Sequence, residues 1–323
     1  MATPALARRI GLKVQGAVAG TGNGPATVDT GLARAETVSL GSLTLRRPLF
    51  YIIDLPALRD RPIIGFELFM RFVTRIDYDK NLLTLTLPQS FVYSGTGTSV
   101  PFRFNDRIPE IDGNVDGVAG AFTIDTGAGG SVRLNRPFVE AHHLLSRYKP
   151  RYSTIIGNGI GGPERGSVIH LGRLSLGSVG VSGVRATLAA DQAGGGSDKA
   201  VAGNVGEGFL RRFNLTFDYA RMRIIFEPNL HHAEPESEDR TGLVLDPNAQ
   251  AVLVAAVVPD GPAAQAGIKV GDIIEAVAGQ AAVSDTFSPQ FLLFRQPAGT
   301  RLNLRVRSGQ AVRTVTLTLR DLY

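Results

Sequence analysis

The chain of 323 residues contains no cysteine and no tryptophan, and only five histidines and three methionines. Without thiols there can be no disulfides, thiolate metal sites or cysteine nucleophiles, and the redox compartment stays open. A metal centre and a cofactor are both unexpected. His142 and His143 are adjacent, so a helix would point them apart, while His231 and His232 fall in a polar run and His170 stands alone. Long apolar runs are also missing: the longest, about Ala251 to Val258, is far short of the roughly 20 residues a membrane-crossing helix needs. Met1–Arg9 lacks the basic-then-apolar layout of an export signal. The formal net charge of +5 comes from dispersed arginines, with no basic block interleaved with aromatics, so nucleic-acid binding is not expected. No Gly-x-Ser-x-Gly elbow is present to anchor a serine nucleophile.

Present in quantity are glycine, at 38 residues against 18 prolines, and many valines, threonines and leucines. This composition favours short strands joined by tight turns, so the chain is expected to be mainly β, with length for two or three domains. It also carries an internal repeat. Gly65-Phe66-Glu67-Leu68-Phe69-Met70-Arg71-Phe72 through Asp77-Tyr78 matches Gly206-Glu207-Gly208-Phe209-Leu210-Arg211-Arg212-Phe213 through Asp218-Tyr219 without a gap, at a constant offset of 141. Each copy reads as an apolar-Gly turn, a short helix, a strand, a turn and a second strand, which predicts two similar lobes in tandem. Asp77 and Asp218, beside their tyrosines, are expected to serve those turns.

The residues that carry chemistry are sharpest at Ala121-Phe122-Thr123-Ile124-Asp125-Thr126-Gly127-Ala128, where a β-branched apolar run delivers one carboxylate into a small-residue turn. Gly127 lets the backbone close around the carboxylate with N–H donors, and the Thr126 hydroxyl can reach sideways to an equivalent turn. Two carboxylates roughly 3 Å apart share one proton and can act as base and acid on a water and a peptide carbonyl. Val28-Asp29-Thr30-Gly31 offers a second Asp-Thr-Gly, but Asp29 precedes Gly65 by 36 residues whereas Asp125 precedes Gly206 by 81. That leaves no room for the intervening helix and hairpin, so Asp29 is expected in a loop between hairpin strands. Matching Ala5–Ile10 to Phe138–Leu144 puts the first lobe's Asp turn upstream of Met1 by repeat logic.

Together, Ile124–Ala128, the apolar-Gly turns Ile63-Ile64-Gly65 and Asn204-Val205-Gly206, and both Asp-Tyr turns resemble the bacterial, two-lobed, retropepsin-like aspartyl protease family. The resemblance implies an aspartic-type endopeptidase acting on peptides or unfolded proteins, with Asp125 as half of a catalytic dyad and Thr126 and Gly127 holding its turn. It also implies a flap over the cleft, here Gly159, Ile160, Gly161 and Gly162, with Gly20–Gly24 as the first lobe's counterpart. If no second carboxylate joins Asp125, the alternative is a non-catalytic peptide-binding protein with a protease-like fold. A homodimer is possible but not favoured, because the first lobe already occupies the partner's place. The family leans towards a cell-envelope location.

The expected division is 1–92 for the first lobe, 93–230 for the second, 231–240 as a linker and 241–323 for a C-terminal module. Between the flap and the repeat, Val168–Gly177 reads as a hairpin. Val257-Val258-Pro259-Asp260-Gly261-Pro262 through Gly271-Asp272-Ile273-Ile274 closely resembles a bacterial PDZ domain of α+β type. This second resemblance implies that Thr241, Gly242, Leu243 and Val244 offer N–H groups to a chain-end carboxylate or an added strand, with a helix near Ser288–Gln296 as the other wall. Asp272 is expected to complete its turn.

Overall fold

The computed structural model describes residues 1–22, 24–55, 58, 61–246, 249–285 and 288–323. Both copies of the repeat fold alike: a glycine leads into a helix, Phe66–Phe69 or Glu207–Leu210, and then into two strands. Those strands are Val73–Asp77 with Leu82–Thr86, and Phe213–Asp218 with Arg223–Pro228. The four join Thr98–Pro101 in one five-stranded sheet, in the order Leu82–Thr86, Val73–Asp77, Phe213–Asp218, Arg223–Pro228, Thr98–Pro101. At its centre Thr74, Arg75 and Ile76 run antiparallel to Phe217, Thr216 and Leu215. Arg75 therefore faces Thr216, its own counterpart 141 residues on, and the two copies meet about a local two-fold axis.

Burial concentrates on this seam. Phe213, Leu215, Phe217, Ile224 and Phe226 are all 2% exposed or less. Phe69 meets Phe217 edge-on at 5.1 Å and stacks on Tyr219 at 5.5 Å, while Phe102 and Phe104 each stand edge-on to Tyr219 at 5.2 Å. These are the offset arrangements that ring quadrupoles favour. The repeated aspartates serve their turns: Asp77 Oδ1 accepts the Lys80 N–H at 3.0 Å, and buried Asp218 lies 3.0 Å from Arg223 Nε.

A second, eight-stranded sheet runs in the order Ser153–Gly159, Gly162–Leu176, Val179–Ala189, Val132–Leu134, Gly203–Val205, Val118–Ile124, Ile108–Val115, Arg103–Asn105. It closes on itself where Gly113–Val115 pairs with Leu174–Leu176. The expected hairpin at Val168–Gly177 is instead part of one 15-residue strand, whose reversal falls at Gly177, with φ +54°. The strand runs on because one half must pair with Ser153–Gly159 and the other with Ile108–Val115.

Within this sheet Gly203–Val205 lies between Val118–Ile124, parallel to it, and Val132–Leu134, antiparallel to it. Its exit at Gly206 passes so close to the 128–130 loop that a Cβ there would sit 2.6 Å from the Ala128 carbonyl oxygen and 2.8 Å from that of Gly130. Only glycine tolerates such an approach.

The N-terminal helix Pro4–Arg9 follows Thr3, whose Oγ1 accepts the Leu6 N–H at 3.1 Å, and both helix features suit an N-terminus. It packs Leu6 and Ala7 with Ala2, Ala33 and Ile52 into a small core beside the sheet Val14–Thr21, Thr27–Arg34, Leu49–Ile52.

Past Thr241 the chain builds a separate core from Leu243, Val254, Ile268, Ile274, Phe294, Leu304 and their neighbours. Its strands are Leu243–Leu245 with Val254–Val257, and the sheet Gln280–Ala281, Ile273–Val277, Arg301–Ser308, Ala311–Thr318. Helix Pro262–Gln265 stops before Gly267, at φ +70°. The expected wall near Ser288–Gln296 is the 3₁₀ helix Pro289–Arg295. Asp272 holds its turn by accepting the Lys269 N–H at 3.0 Å.

The polar run 231–240 is tied down along its length. Glu236 Oε2 accepts the Ser131 hydroxyl at 2.7 Å and the Arg185 N–H at 3.0 Å, and Glu238 lies 2.6 Å from His170 Nε2. At the chain end Tyr152 Oη donates to the Leu322 carbonyl at 3.0 Å, and the Arg185 guanidinium lies over the Tyr323 ring.

Two substitutions test this account by urea denaturation. Phe226→Ala, at a side chain with 0% exposure, is expected to cost about 3–5 kcal/mol. Gly206→Ala is expected to cost about 1–3 kcal/mol, because the 128–130 loop must move to admit the methyl group.

Candidate active site and peptide groove

Strand Val118–Ile124 buries Phe122, Thr123 and Ile124 and then releases Asp125 into solvent. Cross-strand bonds fix the exit: Thr123 Oγ1 lies 2.7 Å from Asn204 Oδ1, and the Asp125 N–H donates to the Val205 carbonyl at 2.9 Å. The turn then closes on itself, with the Gly127 N–H donating to Asp125 Oδ1 at 2.8 Å and the Ala128 N–H to the Asp125 carbonyl at 3.2 Å.

The next helix pins the loop that follows. Gly206, Glu207 and Gly208 donate their N–H groups to the carbonyls of Ser131, Ala128 and Gly130 at 3.0, 2.8 and 2.8 Å. Burial, with the Asp125 negative charge second, pushes the Tyr219 hydroxyl well above its ordinary range. Among the described residues the Gly127 N–H supplies the one hydrogen bond to the Asp125 carboxylate, and the Thr126 hydroxyl has no partner. An exposed carboxylate in this setting can take a proton from water. Keeping one group ionised to take that proton while another stays protonated against the carbonyl oxygen requires a second carboxylate.

Asp29 does not sit in an equivalent turn. It lies inside the strand Thr27–Arg34, opposite Ala19, with its side chain exposed. The counterpart of Asn204-Val205-Gly206 is Ile63-Ile64-Gly65. Ile63 exchanges backbone hydrogen bonds with Met1 at 2.7 and 2.9 Å, as Asn204 faces Arg133 in the other lobe. Its far side differs. Val205 is fully buried by its two neighbours, whereas Ile64 is 36% and Ile63 42% exposed. No strand among the described residues lies where Val118–Ile124 would have its counterpart. A Cβ on Gly65 would meet nothing within 4 Å.

Gly159, Ile160, Gly161 and Gly162 form a hairpin tip, with Ile160-Gly161 as the turn and positive φ at both later glycines. It meets the other glycine-rich tip backbone to backbone: the Gly24 N–H donates to the Ile160 carbonyl at 2.9 Å and the Ala26 N–H to the Gly161 carbonyl at 3.1 Å. A Cβ on Gly24 would come within 2.2 Å of the Gly161 carbonyl carbon, so side chains there would separate the tips. Behind the tip, Glu164 is buried against Arg133 at 3.4 Å, and burial pushes its carboxyl above the usual range.

In the C-terminal module the N–H groups of Thr241, Gly242, Leu243 and Val244, expected to serve a ligand, lie among local partners. The Thr241 and Gly242 N–H groups donate to Asp239 Oδ1 at 2.9 and 3.1 Å, as does the Thr241 hydroxyl at 2.8 Å. The Leu243 N–H donates to Thr241 Oγ1 at 3.1 Å, and Val244 pairs with Ala256 inside the module. Asp239, expected within the 231–240 linker, is the residue that fills these donors. Asp-x-Thr-Gly carries the signal, because a short acidic side chain readily caps N–H groups two and three residues on. Burial pushes the Asp239 carboxyl up, against those hydrogen bonds, which pull it down.

No curated protein matches the sequence. Among solved structures, a retropepsin-like aspartic protease from Rickettsia conorii aligns at 18% identity and a TM-score of 0.30, over 42% of this chain and 97% of that one. A photosystem II D1 C-terminal processing protease aligns at 23% identity and a TM-score of 0.26, over 29% of this chain and 27% of its own. A PDZ domain protein from Parabacteroides distasonis aligns at 25% identity and a TM-score of 0.20, over 24% and 19%. The chain thus spans about a quarter or less of the last two. The family model for the PDZ domain matches residues 253–308, and this mainly β chain therefore carries a PDZ domain at its C-terminal end.

Proposed function

We propose that this protein is an aspartic-type endopeptidase of the retropepsin-like kind, with lobes at 1–92 and 93–230 and a PDZ module at 241–323 that holds peptide. The observation that carries this reading is Asp125: an exposed carboxylate at the end of a buried strand, fixed by Gly127 and by a loop that Gly206 and Gly208 pin. Asp125 and a second carboxylate share one proton, and the ionised member draws a proton from water as its oxygen attacks the peptide carbonyl. The protonated member stabilises the developing oxyanion, and the departing amine leaves protonated. Gly159–Gly162, together with Gly20, Gly22 and Gly24, cover the extended substrate from above.

The open edge at Ile63-Ile64 is the place for the second carboxylate. A strand laid parallel to it, as Val118–Ile124 lies along Gly203–Val205, ends at the mirror position of Asp125. The exposed Ile63 and Ile64 and the free space over Gly65 support this assignment. A second reading, a protease-like fold that binds peptide without cutting it, is favoured by Asp29, which lies in a hairpin strand and leaves Asp125 without a carboxylate partner among the described residues.

The test is hydrolysis of a labelled unfolded protein from about pH 3 to about pH 7, the range in which a proton-sharing carboxylate pair titrates. It is run for this chain and for one extended upstream in its reading frame. Activity that Asp125→Asn lowers by about 100-fold or more supports the peptidase, because a lost general acid–base costs on that order. No cleavage by either chain, with peptide still bound, supports the second reading.

A further inference from the structure

The PDZ module presents an unused edge. Leu243–Leu245 pairs on one side with Val254–Val257, and among the described residues no strand lies on its other side. Leu245 on this strand and Phe291 on the 3₁₀ helix are both partly buried against the module core. An extended segment can add beside Leu243–Leu245 as a further strand, with apolar side chains towards that core.

The end of this groove is filled from within. A free chain end is recognised through N–H groups that converge on its carboxylate. Here Thr241 and Gly242 give theirs to the Asp239 carboxylate, and Leu243 gives its own to Thr241 Oγ1. Arg240 closes the corner: its N–H donates to the Phe294 carbonyl at 2.8 Å, Nη1 to the Arg295 carbonyl at 3.1 Å, and Nε lies 2.6 Å from Asp321. An arriving terminal carboxylate finds these donors already occupied and would be desolvated without partners.

From this geometry we propose that the module takes an internal extended segment of an apolar polypeptide, and that Asp239 stands permanently where a ligand's terminal carboxylate would sit. This rests on the peptide-binding reading of the module and specifies which peptides it takes. It also fits a substrate that must pass on to Asp125 from within a chain.

Fluorescence anisotropy of the full chain tests the inference with two fluorescein-labelled dodecapeptides of alternating valine and serine, alike except that one ends in a free carboxylate and the other in an amide. The wild-type chain is expected to bind both within about twofold, because no donor is left to reward the carboxylate with charge-assisted hydrogen bonds. Asp239→Ala frees the Thr241 and Gly242 N–H groups and is expected to prefer the acid by about tenfold or more. A preference of that size in the wild type overturns the inference and leaves peptide binding intact, and this comparison stands even if Asp239→Ala does not fold. A folded Asp239→Ala without acid preference also overturns it. Binding of neither peptide by the wild type overturns the peptide-binding reading and the inference with it.

Discussion

The antiparallel pairing of Thr74–Ile76 with Leu215–Phe217 sets the geometry of the rest. Because Arg75 faces its own counterpart Thr216, the register relates the two copies of the repeat by a rotation. A strand slip of one residue would turn every side chain of one copy to the opposite face and break the fit of Leu215 and Phe217 in the core, on a strand buried along both faces. The aromatic cluster of Phe69, Phe102, Phe104, Phe217 and Tyr219 locks that register from above. Phe69 comes from one copy and Phe217 from the other, so each half completes the other's core.

What the register places, glycine makes precise. Gly203, Gly206 and Gly208 lie where a Cβ would fall 2.1, 2.6 and 2.6 Å from atoms of the strand and loop they cross. Gly206 and Gly208 let three successive N–H groups, their own and that of Glu207, reach the carbonyls behind Asp125, so backbone contacts hold the loop that follows the carboxylate. The glycine tips obey the same logic, since Gly24 approaches Gly161 within van der Waals distance of the backbone.

Much of this was readable in the sequence. The offset of 141 is exact over both copies, and Ile124-Asp125-Thr126-Gly127 marks strand end and turn within four residues. Spacing separates Asp29 from Asp125 although the local letters are the same, yet the expected loop is a strand, because Asp29 pairs with Ala19 across a hairpin. Three further features were not readable. The strand through Val168–Leu176 is long because two partners in space need it, and a local pattern holds no trace of a second partner. The run 231–240 looks like solvated chain because its acids are hydrophilic, yet Glu236 and Glu238 reach Ser131, Arg185 and His170 from distant parts of the sequence. Asp239 was hidden inside that run, and a glycine followed by an apolar strand suggests free N–H donors only if the residue before them is ignored.

The run 231–240 and the chain end share an anchorage. Glu236 and Glu238 hold to the strands carrying Arg185 and His170, and Leu322 and Tyr323 return to Tyr152 and Arg185. A body tied at both ends to one sheet has no swing of the kind a single flexible tether allows. Two points of attachment oppose rotation as well as displacement, so the orientation of the module is set by contacts at both of its ends.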